Sequence, residues 1–149
     1  MKEKIVLIDG CRTPFLKSET HYLNTMTYEL AQLAIKGLLV KTGLNSNLVD
    51  SVIMGCVIST LKTSNLAREA ALGAGIPEST PCHTVSQACI SANRAIASAV
   101  NEIATGQSSV VIAGGADSAS ETPIGYKKHM RTKLMKGKKL KSTTDVIKF

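Results

Sequence analysis

The alternation of apolar runs and helical segments along this sequence predicts an α/β fold with a mostly parallel sheet. Short continuous apolar runs, typical of strands buried on both faces, alternate with longer segments of helical periodicity. The connections between them are short, and an order of βαβαβαβ with short connections favours parallel strands wrapped by helices. A sheet of four strands is small and no clear final strand follows, so we expect an incomplete domain.

Four apolar runs are predicted to be strands. The first ends before Pro14, because proline cannot continue a ladder of hydrogen bonds. Gly55, inside the second run, indicates a bulge or the close approach of another backbone. The predicted strands are Ile5–Asp9, Val52–Ile58, His83–Gln87 and Val110–Ala113.

Three helices are predicted between the strands. The first starts at Thr27, a candidate cap, and stops at Gly43. The second, Leu66–Gly73, is expected to be capped by Ser64 or Asn65. The third, Cys89–Gly106, is apolar on almost every side, and such a helix is expected to be buried between two layers.

Composition excludes several classes of protein. A chain of 149 residues can bury a core of its own, and no apolar run is long enough to cross a membrane. The N-terminus has the pattern of a strand rather than of a signal or transit peptide, which predicts a cytoplasmic protein. The four cysteines have no metal-ligand spacing, so we expect reduced thiols and no metal site. Three of them are interpreted as small apolar fillers: Cys11, Cys56 and Cys82.

The positive charge is concentrated at one end of the chain. Residues 1–125 carry nine Lys/Arg and ten Asp/Glu, whereas residues 126–149 carry nine Lys/Arg and only Asp145. The basic segment Tyr126–Lys141 is most simply a solvated face. Nucleic-acid binding is disfavoured, because aromatic residues are not interleaved with the lysines and no nucleic-acid motif is present.

Cys89 is the first candidate for chemistry. At the start of a helix, a thiol stands among unpaired backbone N–H groups and at the positive end of the helix dipole. This setting favours the thiolate and makes a nucleophile. The alternative is a buried structural thiol, which is the commoner situation of a free cysteine.

Other polar and glycine residues near Cys89 are interpreted as structural. Ser91 and Asn93 stand in the first helical turns as structural polar groups, and His83 as a hydrogen-bonded histidine. The pair Gly114-Gly115 follows a strand, as phosphate-binding glycines do. It lacks the G-x-G-x-x-G spacing and a clear following helix, which argues against a dinucleotide site.

Five short motifs stand in order along nearly the whole chain: Arg12–Phe15 after the first predicted strand, Asn65–Glu69 followed by Ala71–Gly73, Cys89–Asn93, Gly114–Ser118 with Ser120, and Pro123–Gly125. Together they resemble the thiolase family, the 3-ketoacyl-CoA thiolases of fatty-acid β-oxidation. The residues of these motifs are most similar to those of the thiolase subunit of the multienzyme β-oxidation complex.

The resemblance implies a fold of two similar βαβαβαββ halves whose central helices are buried between two sheets. It also implies a dimer in which His83–Gln87 pairs across the two-fold axis. Cys89 is then the nucleophile that forms an acyl-thioester in ping-pong transfer from 3-ketoacyl-CoA to CoA, an acetyl-CoA C-acyltransferase activity. Coenzyme A is the co-substrate, and no tightly bound cofactor is expected.

The resemblance divides the chain into a partial N-terminal domain, 1–122, and the start of a basic loop domain, 123–149. In the family the loop domain helps to bind CoA phosphates, which suits basic side chains, or contacts partner subunits or membrane. The family's second half supplies an activating histidine, a second cysteine and a water-orienting asparagine, and their motifs do not follow Cys89. Losing a positioned acid or base costs about 10²–10⁴ in rate. We therefore expect a fragment that carries the nucleophile and is inactive alone.

The expected partners are 3-ketoacyl-CoA, CoA, further copies in a homodimer or tetramer, and a hydratase/dehydrogenase subunit. The location is expected to be cytoplasmic in a bacterium and mitochondrial in a eukaryote. One alternative is a non-catalytic, truncated thiolase-like module for dimerisation or interaction. A related condensing enzyme that works in the synthetic direction is disfavoured, since the motifs resemble the degradative branch. An isolated half-domain exposes apolar faces, so we expect it to oligomerise or aggregate.

Overall fold

A computed structural model describes residues 4–60 and 62–137 of the chain. Within this part, three parallel strands form one sheet in the order β2-β1-β3, and four α-helices accompany it. The predicted α/β class with a parallel sheet is therefore confirmed. The elements are α1 Thr27–Thr42, β1 Ser51–Gly55, α2 Leu66–Gly73, β2 Cys82–Val85, α3 Ser91–Ala104, β3 Val111–Gly115 and α4 Lys128–Gly137, with 3-10 turns at Ser46–Leu48 and Ala119–Glu121.

The central strand β1 organises the core. All five of its residues are buried, and its side chains alternate between the two faces of the sheet. Val52 and Met54 pack with α1 and α2, whereas Ile53 packs with Ala95 and Ala99 of α3. A parallel strand covered by helices on both faces needs apolar residues at every position, which is why its sequence is a continuous apolar run.

The predicted helix ends agree with the structure where the capping group is local. α2 has the predicted bounds, and the Asn65 side chain accepts a hydrogen bond from the Arg68 N–H at 3.2 Å. Gly43 ends α1 in the left-handed region at φ +68°, as predicted. Thr27, however, does not cap α1. It is the first helical residue, and its N–H and hydroxyl donate to the Glu121 carboxylate at 2.6 and 2.8 Å.

The predicted strand Ile5–Asp9 is wrong. This segment forms no ladder, and Ile8 is 85% exposed. It lies instead beside α1, where the Asp9 carboxylate pairs with Lys41 at 2.7 Å and the Cys11 thiol donates to the Ala34 carbonyl at 2.9 Å. Residues 11–18 line a cleft of ≈ 550 Å³ together with α1 and residues 115–120. These contacts hold the segment beside α1, so it pairs with neither outer strand of the sheet.

The remaining strands form with different bounds. β1 ends at Gly55, three residues before the predicted end, because the N–H groups of Val57 and Ile58 donate to Asp117 at 2.9 and 2.7 Å. β2 ends two residues early, and β3 extends to Gly115. The N–H groups of Val57 and Ile58 thus bond to the Asp117 carboxylate, about sixty residues away in sequence, instead of to a neighbouring strand.

Helix α3 begins two residues later than predicted, at Ser91, and only one of its sides is buried. Ala95 and Ala99 face the sheet, while Ile96 and Val100 are 42% and 41% exposed. In the described residues one sheet, not two, packs against this helix, so burial on all sides is not observed.

The basic helix α4 is exposed along its length. The remainder of the basic segment, residues 138–149, lies outside the described residues. None of the helices in the described ranges combines the length and apolar character needed to cross a membrane.

Candidate active site around Cys89

Cys89 lies in the turn between β2 and α3, one residue before the helix cap Ile90. Sequence reasoning placed it inside the first helical turn, and the structure places it just ahead of that turn. Its side chain is exposed, and in the described part of the chain its thiol makes no hydrogen bond. The position is that of a presented thiol at a helix start and not that of a buried filler.

The backbone before Cys89 is strained. Ala88 has φ +46°, in the left-handed region that residues other than glycine seldom adopt. Such a conformation costs about 1–2 kcal/mol and persists only where the surrounding structure imposes it. Two hydrogen bonds close the turn, from Ile90 N–H to the Gln87 carbonyl at 3.2 Å and from Ser91 N–H to the Ala88 carbonyl at 3.1 Å.

Ser91 adds two more hydrogen bonds to the same turn. Its hydroxyl donates to the Ala88 carbonyl at 2.6 Å and accepts from the Gln87 N–H at 2.8 Å. The residue is only 3% exposed. Its structural character agrees with the sequence-based interpretation, whereas Asn93 is exposed and makes no side-chain hydrogen bond among the described residues.

Two glycines let the start of α3 rest directly on the sheet. A Cβ at Gly55 of β1 would lie 2.3 Å from the Ser91 carbonyl carbon, and one at Gly115 of β3 would lie 2.9 Å from the Ala92 Cβ. No side chain fits in either place. The predicted close approach at Gly55 is therefore confirmed, and Gly115 serves the packing of this helix.

Cys56 is buried in the core that the sheet forms with α1 and α2, and it is a different kind of thiol. Burial, followed by the negative charge of Asp117 and its hydrogen bond with the thiol, raises the pKa of Cys56 to about 12. The thiol donates to Asp117 Oδ1 at 3.5 Å. Cys56 therefore remains a protonated core group, in agreement with its interpretation as a filler.

Of the two remaining cysteines, Cys82 agrees with the interpretation as a filler and Cys11 does not. Cys82 is half-buried, and burial raises the pKa of its thiol while a hydrogen bond with Arg68 opposes the rise. Cys11 is exposed, so its interpretation as a filler is wrong. The reason is that its segment does not join the sheet. All four cysteines are free.

The described residues place no acid or base in contact with the Cys89 thiol. His83 is exposed on β2, one of the two outer strands of the described sheet, and its side chain makes no hydrogen bond within residues 4–60 and 62–137. In the same ranges no three His, Cys, Asp or Glu side chains are grouped to hold a metal ion. Of the structural groups, Asp117 and Glu121 were missed from sequence, although Asp117 stands in one of the motifs that carry the resemblance.

Comparison with known proteins identifies the family to which this chain belongs. The family described as "Thiolase, N-terminal domain" matches residues 5–147. The chain therefore belongs to the thiolase family, as its motifs indicate.

Its relatives include a trifunctional enzyme subunit and proteins named as 3-ketoacyl-CoA thiolases. The chain is 49% identical over 138 residues to the mitochondrial trifunctional enzyme subunit beta of Homo sapiens, covering 93% of this chain and 29% of that protein. It is 43% identical to a probable 3-ketoacyl-CoA thiolase of Caenorhabditis elegans, covering 97% and 32%. It is 35% identical to the 3-ketoacyl-CoA thiolase of Yersinia pestis, covering 98% and 34%. The chain thus spans about a third of the length of these relatives.

A solved structure shares the fold. The crystal structure of the Bacillus anthracis acetyl-CoA acetyltransferase is similar with a TM-score of 0.69 and 36% sequence identity, over 73% of this chain and 28% of that chain.

Proposed function

We propose that this chain carries the nucleophile of a 3-ketoacyl-CoA thiolase, with Cys89 as the residue that becomes acylated. The observation that supports it most is the exposed Cys89 thiol on a strained, hydrogen-bonded turn at the start of α3. N–H groups at a helix start favour a thiolate and stabilise negative charge that develops on a substrate oxygen. The Cys89 N–H has no partner among the described residues, so it is available as such a donor.

The proposed reaction has two halves. The Cys89 thiolate attacks the 3-keto carbon of 3-ketoacyl-CoA, and the oxygen of that carbonyl becomes an oxyanion. When the carbonyl re-forms, the bond between carbons 2 and 3 breaks, and the electron pair leaves as the enolate of acetyl-CoA, which takes a proton. The thiolate of CoA then attacks the acyl-cysteine, releasing a shortened acyl-CoA and restoring the Cys89 thiolate.

Residues 1–149 alone are expected to perform this chemistry poorly. No base touches the Cys89 thiol in the described part of the chain, and a positioned acid or base contributes about 10²–10⁴ in rate. In the family these groups are supplied by the second half of the protein. The whole reaction is therefore proposed for the complete catalytic unit, of which this chain supplies the nucleophile.

The surroundings of the site are proposed from the same family. Residues 1–122 form a partial N-terminal domain, and 123–149 begin the loop domain, whose exposed basic helix α4 suits the phosphates of CoA. A homodimer or tetramer, a hydratase/dehydrogenase partner, and a cytoplasmic or mitochondrial location complete the proposal. The mitochondrial relative named as a trifunctional enzyme subunit supports the partner.

A non-catalytic dimerisation or interaction module is the second candidate. The outer edge of β2 carries no paired strand among the described residues, and Ile96 and Val100 of α3 are exposed. An open edge and an apolar helix face are both sites of association. This candidate predicts a stable dimer that never acquires an acyl group.

The test is a chimera in which residues 1–149 replace the matching part of the human trifunctional enzyme subunit beta. Incubation with acetoacetyl-CoA is expected to give turnover and an acetyl group on the Cys89 peptide, detected by mass spectrometry. Cys89→Ala is expected to lower the turnover by roughly 10⁴–10⁶, and Cys11→Ala, at the other exposed thiol, to leave it unchanged. Equal turnover in the Cys89→Ala chimera would refute the proposal. A dimer that is never acylated would favour the second candidate.

A further inference from the structure

We propose that Ser91 is a positioning residue, whose buried hydroxyl sets the direction of the Cys89 backbone N–H and thereby of the thiol. This deepens the proposed function and rests on Cys89 as the nucleophile. The hydroxyl touches neither the thiol nor, by its burial, a ligand in solvent. It acts through the peptide group between Ala88 and Cys89.

The geometry of that peptide group carries the inference. The Ala88 carbonyl accepts two hydrogen bonds, both from Ser91, one from its N–H at 3.1 Å and one from its hydroxyl at 2.6 Å. A peptide group is planar and trans, so its N–H points away from its carbonyl. Fixing the Ala88 carbonyl toward Ser91 therefore fixes the Cys89 N–H on the opposite side, where it has no partner among the described residues.

The only proton of the hydroxyl and one of its lone pairs are used in this turn. A serine hydroxyl has one proton to donate, and that proton is used by the Ala88 carbonyl. One of its lone pairs accepts from the Gln87 N–H at 2.8 Å. The hydroxyl thus links the Ser86–Gln87 peptide group to the Ala88–Cys89 peptide group, and Ala88, the residue held at φ +46°, lies between them.

The position of Ser91 itself is set by the sheet. Its backbone lies against Gly55, where a Cβ would come within 2.3 Å of the Ser91 carbonyl carbon. At 3% exposure the site has little access for water that could replace the hydroxyl. Removing the hydroxyl therefore leaves Ala88 free to relax toward negative φ, and the Cys89 peptide turns with it.

The consequence for the reaction is a loss in kcat rather than in KM. A donor aimed at the developing oxyanion acts in the transition state, and the loss of one such donor costs about 10²–10³ in kcat. In the acylating chimera, Ser91→Ala is expected to show a kcat loss approaching that range with KM little changed. Ser91→Thr, which keeps the hydroxyl, is expected to restore most of the rate.

The first measurement needs no activity and uses the 149-residue chain. The rate of iodoacetamide alkylation is followed separately for each cysteine by mass spectrometry. Ser91→Ala is expected to slow Cys89 about tenfold, the effect of losing one or two buried hydrogen bonds. Exposed Cys11 serves as the reference, and buried Cys56 reports unfolding. Thr80→Val is the matched control, because it removes a buried hydroxyl that donates to the Val49 carbonyl at 3.2 Å, away from the turn.

A second variant separates positioning from general support of the fold. Glycine adopts positive φ freely, so Ala88→Gly removes the strain that the Ser91 hydroxyl holds in place. In this background, Ser91→Ala is expected to slow the alkylation of Cys89 only about twofold. The rest of the roughly tenfold effect is coupled to the strain at Ala88. Equal effects in the two backgrounds would contradict the proposal, as would a Cys89 rate within about twofold of native in Ser91→Ala.

Three further outcomes are decisive. If Cys56 is alkylated as fast as Cys11 in the Ser91→Ala chain, that chain is unfolded and the Ser91→Thr chain is used instead. A native alkylation rate of Cys89 in Ser91→Thr supports the proposal, and a tenfold lower rate in a folded Ser91→Thr chain overturns it. If the chimera is never acylated while Ser91→Ala still slows Cys89 alkylation, the proposed function fails and the positioning stands. Acylation that is insensitive to Ser91→Ala refutes the positioning alone.

Discussion

Cys89 and Cys11 both present exposed thiols, but their backbones are held in different ways. The Cys89 turn is closed by four hydrogen bonds and rests on two glycines of the sheet. The segment that carries Cys11 has no regular structure and is held to α1 by one lysine and one thiol contact. Two thiols that are both exposed therefore differ in how firmly the peptide that carries each of them is constrained.

The largest effect is expected where the Cys89 turn meets the sheet. Gly55→Ala places a Cβ 2.3 Å from the Ser91 carbonyl carbon, and this overpacking is expected to lower the free energy of unfolding by about 3 kcal/mol. Gly10→Ala, in the Cys11 segment, meets nothing within 4 Å and is the control. Urea denaturation of both variants measures the difference. Equal stabilities would mean that the turn is not built on the sheet as described.

A smaller effect is expected from alkaline pH, acting on the core that the sheet forms with α1 and α2. The pKa of Cys56 is raised from 9.0 to about 12 in the folded chain. Since the folded state binds this proton more tightly, the thiol's contribution to stability is complete below pH 9 and is lost as the pH rises toward 12. The free energy of unfolding is therefore expected to fall more steeply across this range in the native chain than in Cys56→Ala.

The control for the alkaline experiment is Cys11→Ala, which removes an exposed thiol outside the core. Its stability is expected to follow that of the native chain over the whole pH range, measured by urea denaturation at each pH. Parallel curves for Cys56→Ala and the native chain would contradict the assignment of the alkaline loss to Cys56.

The smallest effect is expected from the contact that holds the Cys11 segment. The Lys41 ammonium donates to Asp9 at 2.7 Å and to the Gly10 carbonyl at 3.1 Å, and both side chains of the ion pair are solvent-accessible. Exposed ion pairs contribute little to global stability. Lys41→Ala is therefore expected to leave the melting temperature unchanged while proteolytic cleavage within residues 5–10 accelerates. A clear drop in melting temperature would show that this segment supports the core.

Particular residues show where sequence reasoning succeeded. The apolar run of β1 was recognised because both faces of a central parallel strand are buried, and that requirement is visible at each position. Asn65 and Gly43 were assigned from local hydrogen bonding and backbone conformation, which depend on neighbours only a few residues away. Gly55 was expected at a close approach, although its partner Ser91 could not be named.

Other residues show where it failed. Ile5–Asp9 has the composition of a strand and remains unpaired, because pairing requires an edge that no local pattern reports. Thr27 looks like a cap, but the cap of α1 is completed by Glu121, 94 residues away. The start of α3 was placed too early, because the left-handed Ala88 and its hydrogen bonds to Ser91 break the helical pattern without a glycine to mark it.

The sequence by itself determined the α/β class, the alternation of strands and helices, membership in the thiolase family and the choice of Cys89 as the candidate nucleophile. These depend on residue types and short spacings, which are present in the chain whatever its neighbours do. The tertiary structure decided that Cys89 stands before the helix and not in it, that Ser91 and two glycines hold its turn, and which apolar runs join the sheet. Each of these depends on contacts between residues distant in sequence, whose free energies are set only when the layers pack together.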